Sequence, residues 1–138
     1  MTATLEDAFV SFLTAHAGLV ALIGTRVYPF EIADGATLPC LTYKRIDTPR
    51  RSTHQSSGAT GDLISPLMQL DAWATTYASA KAIADVLRGA LHGKTGSMGT
   101  SPYAVTVRSI LNTGEIPIPE PDVAAYRVMS QYVVWMEE

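Results

Sequence analysis

Between Pro66 and Gly93 the apolar residues change their spacing, and that change limits what the chain can fold into. Residues 67–74 (LMQLDAWA) put Met68, Leu70, Ala72 and Ala74 at alternate positions, the period of a strand with one face in a core. Directly afterwards Ala80, Ile83, Ala84, Leu87 and Leu91 recur at steps of three and four, the stripe of an amphipathic helix that Gly93 is placed to end. Such a helix must bury its stripe, and such a strand must be covered on one side. The pair predicts helices lying on one face of a sheet.

The rest of the chain fits that plan. Leu5, Ala8, Phe9, Phe12 and Leu13 mark a first helix, with Thr4 as its N-cap and Glu6 and Asp7 in the first turn, where the helix dipole favours acids. Leu19–Ile23 adds a short helical turn ended by Gly24. Arg26–Tyr28 reads as a short strand stopped by Pro29, and residues 40–47 (CLTYKRID) as a longer one. Residues 48–62 are polar and rich in Gly and Ser, which predicts a long, mobile hairpin tip. Residues 93–102 read as a Gly/Ser loop and 103–111 as a strand. Residues 113–122 (TGEIPIPEPD) read as a proline-rich excursion that cannot sit inside a sheet. The longest strand is the last, 125–136, and there is no internal repeat. The expected fold is α+β, a largely antiparallel sheet of four to five strands with two main helices on one face, and residues 1–138 forming one domain.

Composition narrows the possible functions. A chain of 138 residues can support one core without staples, and its single cysteine, Cys40, cannot close an internal disulfide. The net charge of −3 gives no general attraction for phosphate backbones. No apolar run approaches the roughly 18 residues of a membrane helix, and the first residues carry acids where a secretory signal carries bases. A cytosol-like setting with no membrane partner is expected. Charged residues make up 17% of the chain, against about 25% in an ordinary soluble domain, so some surface is expected to be covered by something else.

The sheet itself points the same way. Met68, Leu70, Ala72 and Ala74, and on the last strand Val128, Tyr132, Val134 and Met136, suit the side facing the helices. The opposite positions are Gln69, Asp71 and Trp73, then Arg127, Met129, Gln131, Val133 and Trp135. They are mixed rather than solvent-like, and leaving several Val- or Met-sized side chains wet forfeits about 1.5–3 kcal/mol each. Two readings stand: a loop such as 113–124 folds across this second face, or another subunit does, since aromatic, Met and Arg residues are enriched at interfaces.

No chemical site assembles from the sequence. Gly93-Lys94-Thr95 lacks the phosphate-loop glycine, because Arg88 stands where that glycine belongs, and the loop follows a helix where the motif needs a strand. His16, His54 and His92 are far apart; His16 and His92 fall at helix C-termini, where the dipole favours a cation. Cys40 has no nucleophile signature and reads as a small buried apolar thiol. Ser56, Ser57 and Ser97 lie near glycines without a nucleophile elbow. No catalytic, cofactor-binding or metal-ligating residue is assigned, and no cofactor is implied. Lys44, Arg45, Arg50, Arg51 and His54 form the one basic cluster, open to solvation, to contact with an acidic protein surface, or to nucleic acid.

Three segments nevertheless form a pattern. They are Leu22-Ile23-Gly24-Thr25-Arg26-Val27-Tyr28-Pro29 followed by Leu38-Pro39-Cys40-Leu41-Thr42-Tyr43; Leu70-Asp71-Ala72-Trp73-Ala74 running into Tyr77, Ala80, Ala84 and Leu87; and Tyr126-Arg127-Val128 with Trp135. In order and spacing they resemble the tail-completion, or tail-terminator, proteins of long-tailed phages and gene-transfer particles. The resemblance covers roughly residues 5–92 and 103–136, and departs from the pattern at Cys40, where an aromatic is commoner, and in 113–122. It implies an α+β subunit without catalytic residues in a homo-oligomeric ring, usually of six, at the head-proximal end of the tail. Such a ring would contact itself, the tail tube protein and the head connector or stopper, with DNA only as passing cargo. Candidate interface residues are Arg50, Arg51, His54, Gln69, Trp73, Arg127, Met129, Gln131 and Trp135. The competing readings are an adaptor or stopper of the connector and, from another class, a small ligand-binding domain or enzyme using Cys40 or the Gly93 loop.

Overall fold

The computed structural model describes residues 4–30, 37–51, 63–99, 105–120 and 125–137. Helix α1 (Leu5–Ala15) starts on a complete capping box. The Thr4 hydroxyl accepts the Asp7 N–H at 3.1 Å, and the Asp7 carboxylate accepts the Thr4 N–H at 3.3 Å. His16 ends α1 and begins α2 (Ala17–Ile23), its Nδ1 accepting the Leu19 N–H at 3.4 Å. His16 thus sits at the C-terminus expected from the sequence and also caps the start of the next helix. His92, after the third helix, likewise accepts the Asn112 N–H at 2.9 Å. The two N-terminal helices meet at 80°, and no single helix among the described residues is long and apolar enough to cross a membrane.

After Gly24, which takes a positive φ of 61° to end α2, the chain enters the sheet. Strand β1 (Val27–Pro29) runs parallel to β2 (Cys40–Asp47). The direction of β2 is continued by β3 (Arg50–Arg51), which pairs with β4 (Leu63–Ile64); the tip between them, including His54, lies outside the described residues. Strand β5 (Leu67–Ala74) returns antiparallel to β2 and leads into α3 (Tyr77–Leu91), whose N-cap Thr76 accepts the Ser79 N–H at 3.2 Å. A small hairpin, β6 (Gly96–Met98) with β7 (Val105–Val107), comes next. Strands β8 (Ser109–Glu120) and β9 (Ala125–Glu137) close the sheet. The strand positions run β1, β2 with β3, β5 with β4, β9, β8, all antiparallel except the first pair.

Two stretches differ from the sequence expectation. Part of the Gly/Ser segment 93–102 is the β6 strand, which buries Met98 in the core beside Val107. Over residues 113–120 the proline-rich 113–122 segment is not an excursion and does not fold across the sheet; Pro121 and Asp122 lie outside the described residues. Through Glu120 it belongs to β8, paired with β9 along its length. Prolines fit there because β8 is an edge strand, paired only with β9 among the described strands. Pro117 and Pro119 are two apart, so both missing N–H groups fall on one side of the strand, the side a proline-bearing edge turns outward.

The core lies between the helices and one sheet face. Phe9, Leu13, Leu19 and Ile23 meet Ile83, Leu87 and Leu91 of α3, and all of these pack on Leu41, Met68, Leu70, Val128, Tyr132 and Val134. Helices α2 and α3 come close at Gly18, where an added Cβ would stand 3.3 Å from Val86.

Candidate interaction surface

Register fixes the membership of the second sheet face, because residues directly opposite in an antiparallel pair point the same way. Cys40, Thr42 and Lys44 of β2 oppose Trp73, Asp71 and Gln69 of β5. Those three in turn oppose Arg127, Met129 and Gln131 of β9, with Leu67 opposite Val133. On the far side Leu111, Ile116 and Ile118 of β8 oppose Val133, Met129 and Arg127. Both tryptophans stand on this face, as the alternation predicted, and the described helices are on the other.

The β1–β2 half of this face is sealed by the chain's own residues. Trp73 is 9% exposed and packs with Cys40, Ala125, Tyr28 and Leu38. Its indole N–H donates to the Thr42 hydroxyl at 3.0 Å, and the Arg127 guanidinium lies 5.2 Å from its ring centre. Beside it the buried Asp71 carboxylate accepts from the Gln69 amide at 3.1 and 3.2 Å and faces Arg127 at 3.6 Å. Burial raises the Asp71 pKa above 3.8, opposed by the Gln69 hydrogen bonds and the positive charges of Arg127 and Lys44. Cys40 is buried, and loss of hydration pushes its thiol up to about 11 against a smaller downward pull from Arg26. A thiol held so firmly protonated is a poor nucleophile.

The β8–β9 half is different. Met129, Gln131, Val133 and Trp135 are half-buried, while Leu111 and Ile116 are exposed. These β8 residues are apolar positions the sequence reading does not single out; the alternation Ile116-Pro117-Ile118-Pro119 is the signal of an apolar edge strand that could have found them. Phe30, at the end of β1, is another. It is an exposed side chain on a residue with φ of 63°, its N–H donating to the Tyr43 carbonyl at 2.8 Å.

The expected basic cluster divides. Lys44 points to the second face, whereas Arg45 turns to the helix side and pairs with Glu6 of α1 at 2.6 Å. Arg50 and Arg51 are placed by backbone in β3, at the base of the tip. Lys94, from the rejected phosphate-loop motif, lies 4.7 Å from the centre of the Phe12 ring, and Gly93 donates its N–H to the Ile110 carbonyl at 2.7 Å. Among the described residues no group of three or more His, Cys, Asp or Glu side chains could hold a metal ion.

Comparison with solved structures gives a fold of the same kind. A chain from the virion of a native gene transfer agent particle superposes with a TM-score of 0.72, covering 97% of this chain and 95% of that one at 20% identity. No curated protein matches in sequence. The sequence model of the family described as tail completion protein gp17 matches residues 7–137, which takes in the helices, the sheet and the open β8–β9 face alike. The chain therefore belongs to the tail completion protein gp17 family and is a structural protein of phage-like virion tails.

Proposed function

We propose that the protein assembles as a homo-oligomeric ring, with six copies, that ends the tail tube at its head-proximal side and joins it to the head connector. The observation that carries this reading is the second sheet face: half of it is sealed within the subunit, and the other half leaves apolar side chains in the open. Exposed apolar area of this kind marks a contact surface. Family membership supplies the setting, a virion tail. In this reading the partners are further copies of the chain, the tube protein and the connector or stopper protein, with DNA passing through the ring as cargo. The whole chain acts as one domain, without a cofactor and without catalysis. Met129, Gln131 and Trp135 lie at or near the open surface, with Gln69, Trp73 and Arg127 beside them on the same face. Arg50, Arg51 and His54 offer a second, basic contact at the hairpin tip.

Light scattering and electron microscopy of the purified protein, alone and mixed with tail tubes, test this. Annular particles with a central hole, alone or seated on tube ends, are the expected result. A protein that remains monomeric in both settings is not a ring former. Pull-downs with tube protein and with portal-side proteins separate a terminator, which takes both, from a connector adaptor, which takes only the second.

A further inference from the structure

A ring of identical copies needs two unlike surfaces on each copy, so that one meets the other on its neighbour. Two largely apolar surfaces lie on opposite sides of this two-layer fold, the first with the partly covered Arg127 at its margin beside Ile118. The first is the β8–β9 half of the open sheet face, and a bulge creates it. Counting by twos from Ile110 and Asn112, which face the helices, would send Ile116 and Ile118 into the interior. The register shift between Asn112 and Gly114 reverses the alternation, so these isoleucines stand outside with Leu111 and Glu115 turns inward. Ile116 is 53% and Leu111 45% exposed. The same bulge lets Glu115 pair with Lys81 and Arg88, but the two isoleucines it displays are left without cover in a lone subunit.

The second surface is the outer side of α2. Residues 8–25 contain no Asp, Glu, Lys or Arg. Only Leu19 and Ile23 of α2 are buried; Val20 and Leu22 are 38% and 37% exposed, with Ala17 and Ala21 exposed between them. Much of the remaining helix surface is charged, with Lys81, Asp85 and Arg88 on α3 and Glu6 and Asp7 on α1. A charged surface laid on either apolar one would lose hydration without gaining a partner. The two apolar surfaces suit each other.

Resting on the ring reading above, we propose that the outer side of α2 docks on the β8–β9 sheet face of the next copy, Val20 and Leu22 against Leu111, Ile116 and Ile118. Every copy gives one surface and receives the other, so the contact propagates around a ring rather than closing a pair.

Charge rescue tests the pairing. Ile116→Lys and Leu22→Glu each place one charge in the contact, and the double variant places opposite charges across every copy of it. Both sites are on the surface, and thermal unfolding of the isolated subunit reports that the fold is kept. The expected result, by mass photometry alone and on tail tubes, is an oligomer for the wild type, at least a tenfold loss of assembly for each single variant, and substantial recovery in the double variant. A wild type that never assembles overturns the ring and this pairing together. Single variants that assemble like the wild type leave the ring standing and overturn the pairing, as does failure of the double variant to recover. Loss of tube attachment by Ile116→Lys with unchanged oligomer size assigns the sheet face to the tube protein and overturns it also.

Discussion

Asp71 is the residue whose environment has the clearest measurable consequence. Its carboxyl is buried in the sealed half of the second sheet face, and burial raises its folded pKa above the ordinary 3.8. Between those two values the folded state keeps a proton that the unfolded chain releases. Its contribution to stability therefore falls as pH rises through that window and grows as the solution is acidified. Asp71→Asn should remove that gain, so its melting temperature should fall relative to wild type as the solution is acidified through that window. A variant whose melting temperature instead rises relative to wild type on acidification would reverse the assignment. Tyr132 makes the opposite point about polar groups. Its ring is fully buried, and among the described residues its hydroxyl makes no hydrogen bond of good geometry, only a weaker contact with the Ser130 hydroxyl. Tyr132→Phe should leave the unfolding free energy unchanged or raise it by up to about 1 kcal/mol in chemical denaturation; a loss of that size would reveal a partner for the hydroxyl. The burial of Trp73 was not legible in the sequence, because what covers it comes from residues as distant as Tyr28, Leu38 and Ala125. The capping role of Thr4 was legible, since a capping box is local.

At the scale of elements, α3 and β8 are fastened by charge. Glu115 receives Lys81 at 2.8 Å and Arg88 at 3.0 Å, and Asp85 lies within 3.2 and 3.3 Å of the same two cations. Glu115 is mostly covered while its partners are well exposed, so screening discounts the pairs. Glu115→Ala should cost about 1 kcal/mol in denaturant unfolding, and the difference should shrink in high salt. An undiminished difference in high salt would point to packing instead. Glu115 reaches α3 only because of the bulge before it, and the bulge is also why the 113–122 segment was misread. Three prolines and a broken alternation resemble a loop until the edge position is known. Gly114 was the available signal, since an isolated glycine within a strand often marks a bulge. The longer regular elements, α1, α3, β2, β5 and β9, were legible because their periodicity is uninterrupted.

For the whole molecule, the sequence carried the layer order and the existence of a mixed second face, since both follow from alternation along β5 and β9. It did not carry the division of that face into a sealed half and an open half. That division depends on register across four strands. If the open half is covered by further copies, folding and assembly are linked. The melting temperature of the wild type should then rise with protein concentration, and that of Ile116→Lys should not. Differential scanning fluorimetry across a hundredfold concentration range reads this directly, and a flat wild-type curve would separate the stability of the subunit from its association.

Proline at both margins of the sheet, Pro29 on β1 and Pro117 with Pro119 on β8, bears on the life of the subunit before a tail exists. Strand margins left open to further backbone pairing are the usual seed of fibres in a crowded cell. A subunit with blunted margins can accumulate in the host without templating such growth. In the proposed ring, the number of copies would then be set by the angle at which side chains dock, not by a chain of hydrogen bonds that has no natural stopping point.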